Sequence, residues 1–494
     1  MLFWASFNQL IGQKKYKSMK QLLLSISLLS VMGCSAQTEK EATPERPNII
    51  YILADDLGYG DLGSYGQKVI KTPNLDQMAA DGMLFTQHYS GSSVCAPSRA
   101  SLMTGRHTGK GYVRGNYETG PLGFGACLEL RDEDLTVGEV LKKASYRTAI
   151  IGKWGMGMDG TTGEPRKQGF DYSYGYLNQG HAHNQFPSYL FQNGKKIIIP
   201  ENANGVMGSF SNDLFTKEAL SYIQKQDKEP FFLYLAYTTP HAEMVLPASE
   251  QLEEYKKVVK DKPFKNTASK EDGNKWAYRS TDNPGAAYAA QVSHLDACVG
   301  KIMAELKATG QDQNTMIIFS SDNGPHKEGG ANPAYFNSSG GLKGMKRDLY
   351  EGGIKVPLIV KWPQHIKAGT RSDLVSAFWD FLPTVADLAG QKLKEGSTDG
   401  ISFLPTLLGK QQKEHAYLYW EFHENPATNQ AIRKGKWKAV RLDPKGATEL
   451  YDLSQDPGEE QNIAAANPDI VAEMEALFLE ARTPSEYWKL RSVN

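Results

Sequence analysis

Two pairs of residues at the ends of apolar runs could jointly hold a cation. Asp55 and Asp56 close the run NIIYILADD, and Asp322 and Asn323 follow the strand-like TMIIFSS. Brought together, they offer three carboxylates and an amide, and burying that charge unpaired would be costly. An all-oxygen donor set suits a hard ion such as Ca2+ or Mg2+ rather than zinc. Arg99, Lys153, His241 and Lys346 each stand at a helix start, a strand end or a Gly-rich turn. Together they could surround a metal-bound anion, with Arg99 near a helix N-terminus. Cys95, which opens the stretch CAPSR, would then face an anionic tetrahedral centre. Its type alone leaves three readings open: an apolar filler, a thiol nucleophile, or the precursor of another group.

The elements that must position these residues alternate along the chain. NIIYILADD, RTAIIGKW, PFFLYLAYTTPH, TMIIFSSDNG and VPLIVKWP read as buried strands. NLDQMAAD, TVGEVLKKASY and AAYAAQVSHLDACVGKIMAELKATG read as helices. This alternation predicts an α/β domain on a large, mainly parallel or mixed sheet sandwiched by helices. Such sheets carry functional residues beyond the carboxyl ends of their strands, which is where the polar clusters fall. Gly180 to Gly208 reads as loop, and the charged stretch 250–280 as a solvent-facing insertion. From about Lys410 the texture changes to short strands (EHAYLYWEF, QAIRKGKWKAVRL, TELYDL) and a closing helix, PDIVAEMEALFLEAR. The expected domains are therefore a catalytic domain over 47–409 and a small α+β domain with an antiparallel sheet over 410–494.

Gly58-x-Gly60-x-x-Gly63 imitates a dinucleotide-binding fingerprint. Two acids precede its glycines and a polar loop follows, where that fingerprint needs a helix. Lys+Arg 55 against Asp+Glu 56 gives a net charge of -1, so nothing suggests a nucleic-acid partner and anion recognition must be local. At the N-terminus the basic KKYKSMK precedes the apolar QLLLSISLLSVMGC. The apolar run falls short of the ~20 residues that span a membrane and has the layout of a signal peptide. Gly33-Cys34 resembles a bacterial lipobox, with Met32 an unusual occupant and Met19 an alternative start. Residues 1–33 are thus expected to be a lipoprotein signal and 34–46 a polar tether. The mature chain would be exported and anchored through a lipid on Cys34, in the periplasm or at the outer-membrane surface. Of the four cysteines this leaves Cys95, Cys127 and Cys298, which do not make a disulfide framework.

The stretch CAPSRASLMTGR resembles the signature of formylglycine-dependent (type I) sulfatases in the alkaline phosphatase-like superfamily. PNIIYILADDLGYGDLGSYG, TPNLDQMAADGMLFTQHYS, GKWGMG, TTPHAE, SSDNGPH and KRDLYEGGIKVPLIVKWP match the same family in its order. The resemblance implies that Cys95 is oxidised to formylglycine, whose hydrate is the nucleophile. A second hydroxyl then lets the hydrate collapse and expel sulfate by C–O cleavage. The partner implied in biogenesis is a formylglycine-generating or anaerobic sulfatase-maturating enzyme. By position, Asp55, Asp56, Asp322 and Asn323, with residue 95, resemble the calcium ligands. Arg99 resembles the residue that steadies the hydrate, Lys153 and Lys346 those that grip sulfate, and His241 the general acid. Calcium and two lysines would supply preorganised charge where negative charge builds.

One position departs from the family. Many members read Gly-Lys-Trp-His, and here Gly155 stands in place of that histidine. His181 or His183, from the loop GHAHNQFP, is expected to reach in instead. The combination resembles subgroups acting on sulfated galactose or N-acetylgalactosamine, at a 4-O or 6-O position, which makes a sulfated glycan the expected substrate. Arg347 and Asp348, beside Lys346, and Trp420, Glu421 and His423, in the second domain, are expected to line a sugar subsite. The same fold and metal set also serve phosphodiesterases and phosphonate monoester hydrolases. A non-catalytic sulfoglycan-binding lipoprotein would instead leave residue 95 a plain thiol.

Overall fold

Five apolar runs expected to be strands share one sheet, and the order in which they pair places the site. The computed structural model describes residues 46–116, 128–225, 227–266 and 278–493. The expected signal peptide, Cys34, most of the tether and Cys127 lie outside the described residues. Ten strands form the large sheet: β1 (Asn48–Asp55), β2 (Met83–Phe85), β4 (Arg147–Lys153), β5 (Tyr172–Tyr176), β6 (Tyr189–Gln192), β7 (Lys195–Ile198), β8 (Phe231–Pro240), β9 (Thr315–Ser321), β10 (Leu358–Lys361) and β11 (Thr370–Ser372). Their order is β11-β2-β10-β9-β1-β8-β4-β5-β6-β7. Two short strands, β3 (His88–Tyr89) and β12 (Ser376–Ala377), pair separately.

At the centre β9, β1, β8, β4 and β5 run parallel, so their carboxyl ends lie along one edge. The sheet is mixed because β10 pairs antiparallel with β9 and with β2. Both faces are covered, which is why these strands read as continuous apolar runs. Ile50, Ile52 and Ala54 of β1 enter one core with Leu295, Val299 and Ile302. Ile49, Tyr51 and Leu53 enter the other, with Ala96, Ala100 and Met103. The first face is roofed by the helix Pro284–Ala308, which starts with proline at its first turn and buries Cys298. Its run of Gly285, Ala286, Ala287, Ala289 and Ala290 lets it lie close to the sheet. The second carries the helix Cys95–Thr104, all ten residues of which are buried.

The stretch Gly180–Gly208, expected to be loop, departs from that reading. It contains β6 and β7, an antiparallel hairpin that extends the sheet beyond β5. The hairpin closes on Asn193-Gly194, whose φ values of 51 and 80° are those of a two-residue turn that follows strand twist. The charged segment after Ser249 also docks. In the helix Glu250–Val258, Tyr255 is buried and its hydroxyl bonds Ser293.

From Leu418 the chain forms a second, four-stranded antiparallel sheet: β13 (Leu418–Phe422), β14 (Asn429–Lys434), β15 (Trp437–Arg441) and β16 (Glu449–Asp452). One face packs Trp420 against Tyr89 and Trp379. The other packs Tyr419 and Ile432 against Met474 and Phe478 of the helix Pro468–Glu480. Arg46–Asn494 form one compact unit that includes this sheet.

Candidate active site

The parallel strand ends deliver four functional side chains to one crevice. Asp55 ends β1, Lys153 ends β4, His241 follows β8, and Asp322 follows β9. Asp56 holds a left-handed backbone (φ 64°), and its N–H donates to Asp322 Oδ1 at 3.0 Å. That bond ties the two strand-end turns together.

Residue 95 is the first residue of the helix Cys95–Thr104, and its sulfur lies 3.3 Å from Asp55 Oδ1 and 4.0 Å from Asp56 Oδ1. Asp55, Asp56, Cys95 and Asp322 offer donor atoms that all lie within 4.8 Å of one another. Asn323 donates through Nδ2 to Asp56 Oδ1 at 2.7 Å. Its Oδ1 is buried and has no hydrogen-bond partner among the described residues. A buried amide oxygen left over beside three carboxylates is what a hard cation would satisfy, so the donor set fits Ca2+.

The cations are arranged in pairs with these carboxylates. Arg99 donates through Nε and Nη2 to Asp322 Oδ2 at 3.0 and 2.7 Å, and through Nη1 to the Lys153 carbonyl at 2.9 Å. Lys153 Nζ lies 2.8 Å from Asp55 Oδ2, and Lys346 Nζ 2.8 Å from Asp56 Oδ2. The two carboxylates beside residue 95 are thus each paired with a buried ammonium group. Against burial, Lys153 and Arg99 hold the Asp55 carboxyl well below the usual range. Burial, with Asp55, pushes Asp322 up to about 7, and the same two causes push the Cys95 thiol well up. The protein's own groups therefore disfavour a thiolate at position 95.

His241 Nδ1 faces the Ala242 carbonyl at 2.5 Å, which places a proton on that nitrogen. Nε2 faces Lys346 Nζ at 3.0 Å and the carboxylates of Asp56 and Glu328 at 3.4 Å each. Burial and Lys346 keep the ring's pKa well below 6.5. His183 stacks on His241 with ring centroids 4.6 Å apart. His181 does not join it. It packs among Tyr176, Tyr189 and Phe191 against β5 and β6, which corrects the expectation that either histidine could face residue 95.

The space beside Gly155 is filled by Gln179, whose amide donates to the Gly155 carbonyl at 3.3 Å. Arg347 reaches the mouth of the crevice, paired with Glu328 at 2.6 Å and facing Glu424 at 3.8 Å. Asp348 turns back into its own loop, where it accepts from the Met345 N–H at 3.0 Å and shapes the turn that presents Lys346.

The second-domain residues are corrected more fully. Trp420 and Glu421 are wholly buried and His423 nearly so. The Trp420 indole donates to the Ser90 carbonyl, and Glu421 accepts from Arg114, Arg482, His423 and Tyr419. A side chain so enclosed has no surface to offer a sugar. Sequence reasoning also missed Glu328, Tyr278 and Gln179, which touch the site from turns with no periodic pattern.

Comparison with known proteins agrees with this geometry. A family model for sulfatases matches residues 47–391, and one for the C-terminal part of N-sulphoglucosamine sulphohydrolase matches 344–483. Human arylsulfatase A is 33% identical over 89% of this chain and 88% of its own. The N-acetylgalactosamine-6-O-sulfatase of Bacteroides thetaiotaomicron is 29% identical over 95% of this chain and all of its own. The solved structure of Ps i-CgsB in complex with k-i-k-neocarrahexaose superposes with a TM-score of 0.73 at 30% identity, covering 90% of this chain and 95% of that one. The strand-end carboxylates, the paired lysines and the mixed sheet thus lie in a chain that belongs to the sulfatase family and is a sulfuric ester hydrolase of alkaline phosphatase-like fold.

Proposed function

We propose that the protein hydrolyses a sulfate ester on a glycan, a sulfated galactose or N-acetylgalactosamine, and releases inorganic sulfate. The observation that carries this reading is that the two carboxylates beside residue 95, Asp55 and Asp56, are each held by a buried lysine, Lys153 and Lys346, at 2.8 Å. A carbohydrate substrate is supported by the relatives named for N-acetylgalactosamine sulfate and by the neighbour bound to a neocarrahexaose. Asp55, Asp56, Asp322, Asn323 and residue 95 would hold calcium, and Cys95 would be matured to formylglycine by a dedicated enzyme. Calcium would then supply charge for a sulfate oxygen, and the aldehyde hydrate an oxygen nucleophile.

The remaining work falls to the chain's own side chains. Lys153 and Lys346 turn their ammonium groups to the sulfate oxygens. Arg99, held by Asp322 and the Lys153 carbonyl, keeps the floor of the site rigid. His241 carries a proton on Nδ1, and Lys346 Nζ, 3.0 Å from Nε2, is placed to pass that nitrogen the proton that goes on to the departing sugar oxygen. Asp56 and Glu328, each 3.4 Å from Nε2, stabilise the imidazolium so formed. His183, stacked on the ring, restricts its rotation. In the cell the chain would be exported and tethered through a lipid on Cys34.

The test has two arms. In protein made with a maturation enzyme, the peptide containing residue 95 should carry an aldehyde, and Cys95→Ala should abolish turnover while sulfated ligand still binds. Sulfate release should then be measured on 3-, 4- and 6-sulfated galactose, N-acetylgalactosamine and N-acetylglucosamine beside matched phosphate esters. Fully active enzyme with an unmodified cysteine, or higher efficiency on phosphate, overturns the proposal.

A further inference from the structure

The carboxylate of Glu328 divides its two oxygens between the chemistry and the mouth of the crevice. Oε2 accepts from Lys346 Nζ at 3.2 Å and from the Tyr278 hydroxyl at 3.1 Å, and it faces His241 Nε2 at 3.4 Å. Oε1 accepts from Arg347 Nη1 at 2.6 Å. The Glu328 side chain is 18% exposed and that of Arg347 45%, so the pair stands where the buried cluster meets solvent. The position is set by the turn after Asp322-Asn323. His326 anchors it, bonding the Pro240 carbonyl through Nε2 and the Glu328 N–H through Nδ1.

A leaving sugar oxygen has to come within hydrogen-bond reach of His241 Nε2 to receive its proton. The next hydroxyl-bearing carbon of the sugar (C3 for a 4-sulfate, C4 for a 6-sulfate) brings its oxygen near the leaving oxygen, and Glu328 and Arg347, at the solvent edge beside His241, are the polar groups placed to meet it. An ionised carboxylate can only accept hydrogen bonds. Against burial, Lys346 and Arg347 keep Glu328 ionised. A hydroxyl suits that surface, because it donates to Glu328 and accepts from Arg347. A second sulfate does not: it has no proton to donate and would lie against a carboxylate. Arg347 offers it little compensation, since its charge is already shared between Glu328 and Glu424.

We infer that Glu328, with Arg347, is a specificity-determining pair that selects esters whose neighbouring position is a free hydroxyl and rejects those sulfated there too. The inference rests on the reading that this site cleaves glycan sulfates, and it narrows the substrate class to sugars locally monosulfated at the scissile position.

The test uses the mature, full-length enzyme and four methyl galactosides: the 4-sulfate, the 3,4-disulfate, the 6-sulfate and the 4,6-disulfate. Sulfate release gives kcat and KM for each. The wild type should prefer a monosulfate over its disulfated counterpart by at least about tenfold in kcat/KM. Glu328→Gln, which keeps the shape and removes the charge, should shrink that ratio by at least about tenfold, mainly through KM. Glu328→Asp should retain the preference. Arg347→Gln leaves the Glu328 carboxylate without its cationic partner and should widen it, which keeps the test valid where Glu328→Gln folds poorly. Equal efficiency on mono- and disulfates, or ratios unmoved in the variants despite hydrolysis, overturns this inference alone. No hydrolysis of any of the four by the wild type overturns the galactose-sulfate reading beneath it.

Discussion

Gln179 occupies the space beside Gly155 that a side chain at position 155 would need. A Cβ there would meet the Gln179 amide nitrogen at 2.0 Å, and Gly155 itself holds φ +74°. A histidine at this position therefore faces two obstacles, a left-handed backbone and a buried amide. Glycine just after β4 and glutamine from the loop after β5 thus fit one another here.

The pairing predicts how substitutions combine. Gly155→His should lower stability by about 1–3 kcal/mol from the backbone alone, with a further loss from displacing Gln179. Gln179→Ala in the same chain should recover the steric part, so the double variant should be more stable than the sum of the singles by about 0.5–3 kcal/mol. Urea unfolding of the four proteins measures this. Strict additivity would show that the two positions are not coupled.

Glu421 should behave as a structural anion and not as a sugar contact. Against burial, His423, Arg114 and Arg482 hold its carboxyl well below the usual range. Arg482 follows the last helix and Arg114 follows the helix Cys95–Thr104, so the cluster joins the chain's end to the catalytic unit. Glu421→Gln leaves buried guanidinium groups short of charge and should cost about 3–5 kcal/mol in urea unfolding. Folded enzyme that remains should keep the wild-type KM. A raised KM at unchanged stability would restore the subsite reading.

The contrast between these regions explains what could be read from the sequence. Asp55, Asp56, Lys153 and Asp322 were legible because apolar runs mark parallel strands and parallel strands share a carboxyl edge. The mixed sheet and the small antiparallel sheet followed from the same patterning. Glu328 and Gln179 were not legible, since turns without periodicity give no hint of which strand end they will approach. Trp420, Glu421 and His423 misled because β13 looks like a strand with one polar face. In the structure both faces are covered, by Tyr89 and Trp379 on one side and by Phe478 and the Arg114–Arg482 cluster on the other. The hairpin of β6 and β7 carried its own signal in Asn193-Gly194, hidden among neighbouring loop-forming residues.

Removing calcium should weaken both activity and fold. Three carboxylates and the unpartnered Asn323 oxygen would then share the site with no ion. EGTA should lower the melting temperature and suppress sulfate release, and added Ca2+ should restore both in a concentration-dependent way. Asn323→Ala removes one oxygen donor and the bond to Asp56, and should raise the calcium needed for half-restoration by about 10–100-fold. Full activity and an unchanged melting curve after exhaustive chelation would contradict the calcium assignment.

Away from the crevice, His294 should make stability fall on the alkaline side. Its Nε2 lies 3.0 Å from Asp213 Oδ1, and Cys298 lies 3.6 Å from its Nδ1. Burial lowers the ring's pKa, but Asp213 and then Cys298 outweigh it and raise the value from 6.5 to about 9. A group whose pKa is raised on folding stabilises fully below its unfolded value and loses that contribution as pH rises through the folded one. The pair should therefore contribute fully below pH 6.5, decline above it, and contribute nothing beyond about pH 9. Asp213 is nearly half exposed, which screens the pair and limits its worth to about 1–2 kcal/mol. Urea unfolding of the wild type and His294→Gln between about pH 6 and 10 tests this, since other titrating groups cancel in the difference. The gap between the two proteins should close as pH rises. A gap that stays constant across that window would mean that His294 acts through packing against Phe210 rather than through its charge.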